Sequence, residues 1–178
     1  MELRLDLHIH SERSFDGCMS LSEIVALARE RGLNGVAICD HDRVLDEVPE
    51  FDDFLVIPAT EVSTERGHLL GLFVREPIET RTFSESVTAI HAQGGLAVIA
   101  HPFEHSTDAN RLDDVMSRLD GVEIWNSRAD RKNKSANAMA RELAQKWKKP
   151  VTAGSDAHVP EEVGGGVTVL EADELSLS

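Results

Sequence analysis

Cysteine is scarce: Cys18 and Cys39 are the only two in 178 residues, and their spacing matches neither a zinc ribbon nor a redox pair. Both read as free thiols, Cys39 within a strand. Positive charge is scarce as well, with 18 Lys and Arg against 32 Asp and Glu, a formal net charge of −14. A chain so acidic offers no basic groove for a phosphate backbone, so extended nucleic-acid binding is not expected, and the acidic surface serves solubility. No apolar run is long enough to span a bilayer, and Met1-Glu2-Leu3-Arg4 enters a strand without the basic segment and apolar run of a signal peptide. The resulting expectations are no membrane partner and a cytoplasmic location. Linkers, low-complexity stretches and repeats beyond a strand-helix alternation are absent too. Residues 1–178 therefore read as a single domain, long enough to bury about two thirds of its unfolded surface. There is no Gly-x-Ser-x-Gly elbow to suggest a serine nucleophile.

What is present is an alternation of strands and helices. Leu3 to His8, Val36 to Cys39, Leu55 to Pro58, Leu69 to Val74, Leu96 to His101, Gly121 to Trp125, Val151 to Ala153 and Val167 to Leu170 carry the apolar patterning of strands. Ser20 and Glu23 stand at capping-box spacing ahead of a helix from about Leu21 to Arg31, with Gly32 to end it and Leu21, Ile24, Val25 and Ala28 on its buried face. Thr82 with Glu85 opens a second, to about Gln93, whose inner face carries Phe83, Val87 and Ile90 before Gly94-Gly95. Arg111 to Leu119 reads as helical, and Lys134 to Lys149 as a longer helix with Ala136, Ala140, Leu143, Ala144 and Trp147 inward and Pro150 ending it. His91 lies on the apolar side of its helix and reads as a packed histidine, while His105 reads as solvated.

The strands repeatedly end in imidazole or carboxylate. The first closes on Asp6-Leu7-His8-Ile9-His10, where alternation sends Asp6, His8 and His10 to one side and allows them to converge on one metal ion. The next runs lead into Asp40-His41-Asp42, Glu61, His101-Pro102 and Gly154-Ser155-Asp156-Ala157-His158. Where parallel strands alternate with helices, the carboxyl ends of the strands gather at one face, so ligands distant in sequence can meet. Asp40 and Asp42 have two readings: one of them orients an imidazole or moves a proton, or both are solvated turn formers.

In their order along the chain, Asp6-Leu7-His8-Ile9-His10-Ser11, Asp16-Gly17, Asp40-His41-Asp42, Glu61, Gly67-His68, Ala100-His101-Pro102 and Gly154-Ser155-Asp156-Ala157-His158 resemble the PHP superfamily, the metal-dependent phosphoesterases named for polymerase and histidinol phosphatase domains. The resemblance implies an α/β fold, a distorted seven-stranded β/α barrel of the PHP type. By similarity, His8, His10, Glu61 and Asp156 would hold one ion, and Glu61, His68 and His101 a second, with Glu61 bridging. Asp16, His41 and His158 would hold a third. Ligands of nitrogen and oxygen without thiolate suit two or three divalent ions, manganese, zinc or iron.

The implied chemistry needs no catalytic side chain beyond a metal-bound hydroxide, since paired divalent ions generate hydroxide at neutral pH and neutralise phosphoryl charge. The loop after Trp125 supplies cations for a small phosphorylated substrate: Arg128 first, with Arg131 and Lys132 as further candidates. The leading reading is a phosphoesterase for a small phosphorylated metabolite or nucleotide. A histidinol-phosphatase-like monoesterase and a non-catalytic metal-binding module are the alternatives.

Overall fold

The computed structural model describes residues 1–80 and 82–175. Among these, eight strands follow the apolar runs: β1 (Glu2–Ile9), β2 (Gly35–Ile38), β3 (Leu55–Thr64), β4 (Gly67–Leu72), β5 (Leu96–Ile99), β6 (Gly121–Asn126), β7 (Val151–Gly154) and β8 (Thr168–Glu171). They form one sheet in the order β7-β6-β5-β4-β3-β2-β1-β8. The sheet curls into a nearly closed barrel because the chain just beyond β7 bridges back to β1, where His10 donates its N–H to Ala157 O (2.9 Å) and Asp156 to His8 O (2.8 Å). The strand count is thus eight against the expected seven, the additional one being β8, which pairs antiparallel with the first half of β1.

The barrel is not uniformly parallel. β1, β2 and the first half of β3 run parallel, as do β5, β6 and β7, but β4 is antiparallel to both its neighbours. β3 and β4 make a hairpin in which Glu61 faces Leu70 and Ser63 faces His68. An antiparallel strand begins at the face where its parallel neighbours end, which is why the start of β4 belongs to the same face as the ends of β1, β2, β5 and β7.

Helix α1 (Leu21–Glu30) has the complete capping box of Ser20 and Glu23, and α2 (Phe83–Ala92) is capped by Thr82. α1 buries Ile24, Val25 and Ala28 against Val36, Ile38 and Val56 of the sheet, while α2 and α4 (Ala136–Trp147) bury Phe83, Val87, Ile90, Ala140 and Leu143 against Val62, Leu69, Ile99 and Val122. A third cluster contains no helix residue: Leu3, Leu5, Leu7, Ile57, Leu70 and Val98 fill the space that the strands enclose. Burial of such side chains contributes about 1.5–3 kcal/mol each before conformational entropy is set against it.

Three local expectations change. The stretch Arg111 to Leu119 forms two short 3₁₀ turns, Ala109–Leu112 and Met116–Arg118, rather than one helix. The segment after β6, read as a loop, is a short helix α3 (Ser127–Lys132) capped by the Asn126 side chain. α4 ends at Trp147 with Lys148 as its C-cap in the left-handed conformation (φ 50°), two residues before Pro150.

Asp6 also departs from the alternation argument and does not join His8 and His10. A register shift between Asp6 and Ile9 interrupts the pairing of β1 with β2. The buried Asp6 carboxylate instead accepts backbone N–H groups, from Ser155 (2.9 Å) and His8 (3.3 Å) on Oδ1 and from Gly164 (2.8 Å) on Oδ2. It ties the end of β7 and the turn before β8 to β1, which seals the barrel. Burial pushes its carboxyl up to about 6, against the opposing hydrogen bonds from Ser155, Gly164 and His8. Asp6→Ala strands buried donors that cost about 1–3 kcal/mol each, so the metal-free variant should lose about 3 kcal/mol in urea unfolding, and Asp6→Asn less. A loss below about 0.5 kcal/mol for Asp6→Ala would show that this carboxylate does not seal the barrel.

Candidate metal centre

All nine residues proposed as ligands lie at one end of the barrel. His8 and His10 come from the end of β1, His41 from the turn after β2, Glu61 from the second half of β3 and His68 from the start of β4. His101 follows β5, Asp156 and His158 follow β7, and Asp16 comes from the loop between β1 and α1. Asp156 occupies the left-handed region (φ 56°), held there by its N–H bond to His8 O. Gly154 allows β7 to approach β1 this closely, since a Cβ there would stand 2.3 Å from the His8 Cβ and 2.9 Å from Glu123 Oε1.

The ligand atoms have the spacing of a coordination shell. His8 Nε2 is 3.2 Å from His10 Nε2, 3.4 Å from Glu61 Oε2 and 3.7 Å from Asp156 Oδ1, and His10 Nε2 is 3.2 Å and 3.3 Å from the same two oxygens. A tetrahedron with bonds of about 2.1 Å has edges of about 3.4 Å. The other oxygen, Glu61 Oε1, faces His68 Nδ1 (2.8 Å) and His101 Nε2 (2.9 Å). One carboxylate is thus shared between two groups of imidazoles.

Asp16 Oδ2 lies 3.0 Å from His158 Nε2 and 3.6 Å from His41 Nε2, and His10 joins these three within reach of a common ion. His41 Nδ1 is buried 3.3 Å from Glu61 Oε2 yet has no hydrogen-bond partner, an orphaned atom suited to a cation between the two. The donor set and its spacing fit divalent ions.

The charges compensate one another. Burial opposes ionisation of Glu61 and Asp156, but His8, His10 and His101 outweigh it and hold both carboxyls well below their ordinary range. Burial likewise disfavours the imidazolium forms, yet the charges of Glu123, Asp156 and Glu61 raise His8, and hydrogen bonds that His10 donates to Asp156 and Glu61 raise His10. His101 is brought to about 9 by Glu61, Asp156 and Glu123. His41 and His158 go the other way, burial and the neighbouring His10 keeping both low. Protons on some imidazoles therefore occupy the role that cations would take, and bound metal ions would replace them.

Several supporting residues escaped the sequence reading. Glu123, buried in β6, accepts from His8 Nδ1 (2.9 Å) on one oxygen and from the His101 N–H (2.8 Å) and Asn126 Nδ2 (3.0 Å) on the other. It directs His8 Nε2 at the centre and fixes the backbone of His101. Glu104 stands behind His101 Nδ1 (3.2 Å), Ser14 Oγ meets His10 Nδ1 (3.3 Å), and the Asp156 carbonyl accepts from His158 Nδ1 (2.9 Å). The available signal for Glu123 was a carboxylate inside an otherwise apolar strand, Gly121-Val122-Glu123-Ile124-Trp125. Asp40 fits neither of its two readings, because both its oxygens accept from Ser11, N–H and hydroxyl alike at 2.6 Å, and so anchor the segment carrying His10. Asp42 accepts the Ser63 N–H (3.3 Å).

Arg128, Arg131 and Lys132 lie on α3. Arg128 is close enough to help lower the pKa of His158 and is 3.8 Å from Glu162 Oε2. Arg131 pairs with the same Glu162, and Lys132 reaches Glu104. His105 is exposed, as expected. His91 is exposed rather than packed and bonds Asp120 (2.7 Å).

The PHP domain profile matches residues 6–149, and a second, described as PHP-associated, matches residues 134–178. The chain belongs to the PHP domain family. It is 33% identical over 166 residues to an uncharacterized protein of Methanocaldococcus jannaschii, covering 81% of this chain and 95% of that one. It is 24% identical over 202 residues to a Shewanella amazonensis protein named "Probable phosphatase", covering 93% and 80%.

Among solved structures, a two-domain protein from Bacteroides vulgatus, described as containing a "predicted PHP-like metal-dependent phosphoesterase", superposes with TM-score 0.73 at 20% identity over 99% of this chain. This chain spans only 60% of that protein's length. An amidohydrolase from Chromobacterium violaceum with bound sulfate gives TM-score 0.71 at 16% identity, covering 96% of this chain and 92% of that one. These two likenesses establish the shared fold.

Glu123→Gln keeps the volume but turns an amide N–H₂ toward donors on one side of the group. It should weaken metal binding by about 10–100-fold with the far-UV circular dichroism unchanged, as measured by calorimetric metal titration. Unaltered affinity would reduce Glu123 to a packing role.

Proposed function

We propose that this chain, residues 1–178 acting as one PHP unit, is a metal-dependent phosphoesterase that hydrolyses a small phosphorylated metabolite or nucleotide. The observation that supports it most is the Glu61 carboxylate, which presents Oε1 to His68 and His101 and Oε2 to His8, His10 and His41. A single side chain so placed belongs to two ion sites at once, and the group of Asp16, His41 and His158 supplies a third. The relative named as a phosphatase is consistent with this reading.

Divalent ions bound there would acidify water and neutralise phosphoryl charge. The residues of the chain do the rest. His8, His10 and Asp156 hold one side of Glu61 and His68 and His101 the other, Glu123 keeps the His8 ring and the His101 backbone in register, and burial excludes bulk water from the imidazoles of β1. Arg128 is the cation that would meet a phosphoryl oxygen, a reading supported by the influence of its charge on His158 of the third group. Arg131 and Lys132, paired with Glu162 and Glu104, serve as outer supports.

Protein purified without chelator should contain more than one metal ion per chain by elemental analysis, and Glu61→Gln should lower occupancy by more than one ion. Less than one ion per chain after incubation with manganese, zinc or iron would refute the multinuclear site. His101→Ala should remove hydrolysis of phosphomonoesters while the domain stays folded. A parent protein inactive with every metal, but strongly destabilised by chelator, would instead be a structural metal module. Arg128→Ala should raise KM with metal content unchanged, and unaltered kinetics would return Arg128 to the solvated surface.

A further inference from the structure

Arg111, in the 3₁₀ turn Ala109–Leu112, is half-buried, yet no described carboxylate accepts a hydrogen bond from its guanidinium. Nη1 donates to Arg66 O and Nη2 to Pro102 O, while Nε is buried without a partner. Burial lowers its pKa against the pull of Asp108. Moving a cation out of water onto neutral carbonyls carries a desolvation cost, so the significance of Arg111 lies in which two carbonyls it joins.

Each carbonyl stands beside a candidate ligand. Arg66 precedes Gly67-His68 at the start of β4, and Pro102 directly follows His101 at the end of β5. The two imidazoles face one oxygen, Glu61 Oε1, and their rings meet edge to face with centroids 5.2 Å apart. Both backbones need holding. His101 has φ 24°, in the left-handed region that costs a non-glycine residue about 1–3 kcal/mol, and Gly67, at φ 118°, has more conformational freedom to lose than any other residue type. Protein groups meet the outer ring nitrogens of His8, His10, His101 and His158, but no described group holds Nε2 of His68. The placement of His68 therefore depends on its backbone. Arg66 returns the contact, donating from Nη1 to Arg111 O (2.9 Å) and Asp114 Oδ1 (2.7 Å), but these bonds reach the 3₁₀ segment and not the chain next to His101.

We infer that Arg111 is a positioning residue for the second ion: by holding Arg66 O and Pro102 O together it fixes His68 relative to His101, and so sets the affinity of this pair, with Glu61, for a divalent cation. This rests on the metal-dependent reading above and adds to it a residue that touches neither the ions nor the ligand side chains.

The test is a calorimetric titration of metal-free protein with manganese, in which His68→Ala identifies the class of ions held by the second group. Arg111→Met keeps the apolar stem and loses both bonds. It should weaken that class about 10–100-fold, leave the others at parent affinity, and add nothing on the His68→Ala background. Arg111→Lys, whose single ammonium lacks the fork, should fall between and carries the comparison if Arg111→Met does not fold. Arg66→Met breaks the returning bonds but spares both carbonyls, so it should lower Tm without changing the affinity. Parent affinity in Arg111→Met, weakening of every class, or an equal effect of Arg66→Met would overturn the proposal and reduce Arg111 to a fastener of the 3₁₀ segment. Hydrogen exchange of the metal-free protein separates this from the metal reading. The Ala100 N–H, bonded to His68 O (3.0 Å), should exchange about tenfold faster in Arg111→Met and at the parent rate in Arg66→Met. That change in a parent that takes up no ion would reject the metal-dependent reading while upholding the tie between the two strand ends, and unchanged exchange would reject the tie.

Discussion

The shared carboxylate of Glu61 is the interaction on which the rest of this end of the barrel depends. An isolated carboxylate with 1% exposure would be protonated or would unfold its surroundings, because desolvation of an unpaired charge costs several kcal/mol. Here five imidazoles face its two oxygens. The arrangement is stable only while positive charge, as protons or as metal ions, stays among them. The same balance explains why histidine is concentrated here: imidazole can be neutral toward a metal and cationic toward a bare carboxylate.

Holding so many polar groups in one place requires a scaffold that does not yield. Three carboxylates provide it without belonging to the shared cluster. Asp6 gathers the backbone amides of Ser155 and Gly164, Asp40 gathers the amide and hydroxyl of Ser11, and Glu123 links His8, His101 and Asn126. Each satisfies buried donors that would otherwise destabilise the strand ends, and each fixes a segment that carries a ligand. Along the chain Asp6, Asp40 and Glu123 alternate with the candidate ligands Asp16, Glu61 and Asp156, so acid count alone does not distinguish them.

The rim differs from the interior in chemistry. On α3 Arg128 and Arg131 pair with Glu162 and Lys132 with Glu104, and the Phe15 ring stacks on His41. The loop that bears Phe15 also bears Asp16 and Ser14, so one short segment carries a candidate ligand and the hydroxyl that contacts His10 and His41.

Much of this was legible in the amino-acid sequence. Apolar runs located every strand, Ser20-Glu23 and Thr82-Glu85 marked two helix starts, and the recurrence of His, Asp and Glu after the runs identified the candidate ligands, because strand period and capping are local physics. The sequence did not reveal the reversal of β4, since alternation looks the same in either direction, nor the register shift that diverts Asp6 from the cluster. It was equally silent on Glu123, a single acid in an apolar strand whose partners are 115 residues and 22 residues away. Residue types determined which chemistry was possible. Only the closure of β7 onto β1, a long-range pairing with no local signature, decided which side chains converge at the candidate metal centre, which merely hold the backbone, and which ring faces the solvent.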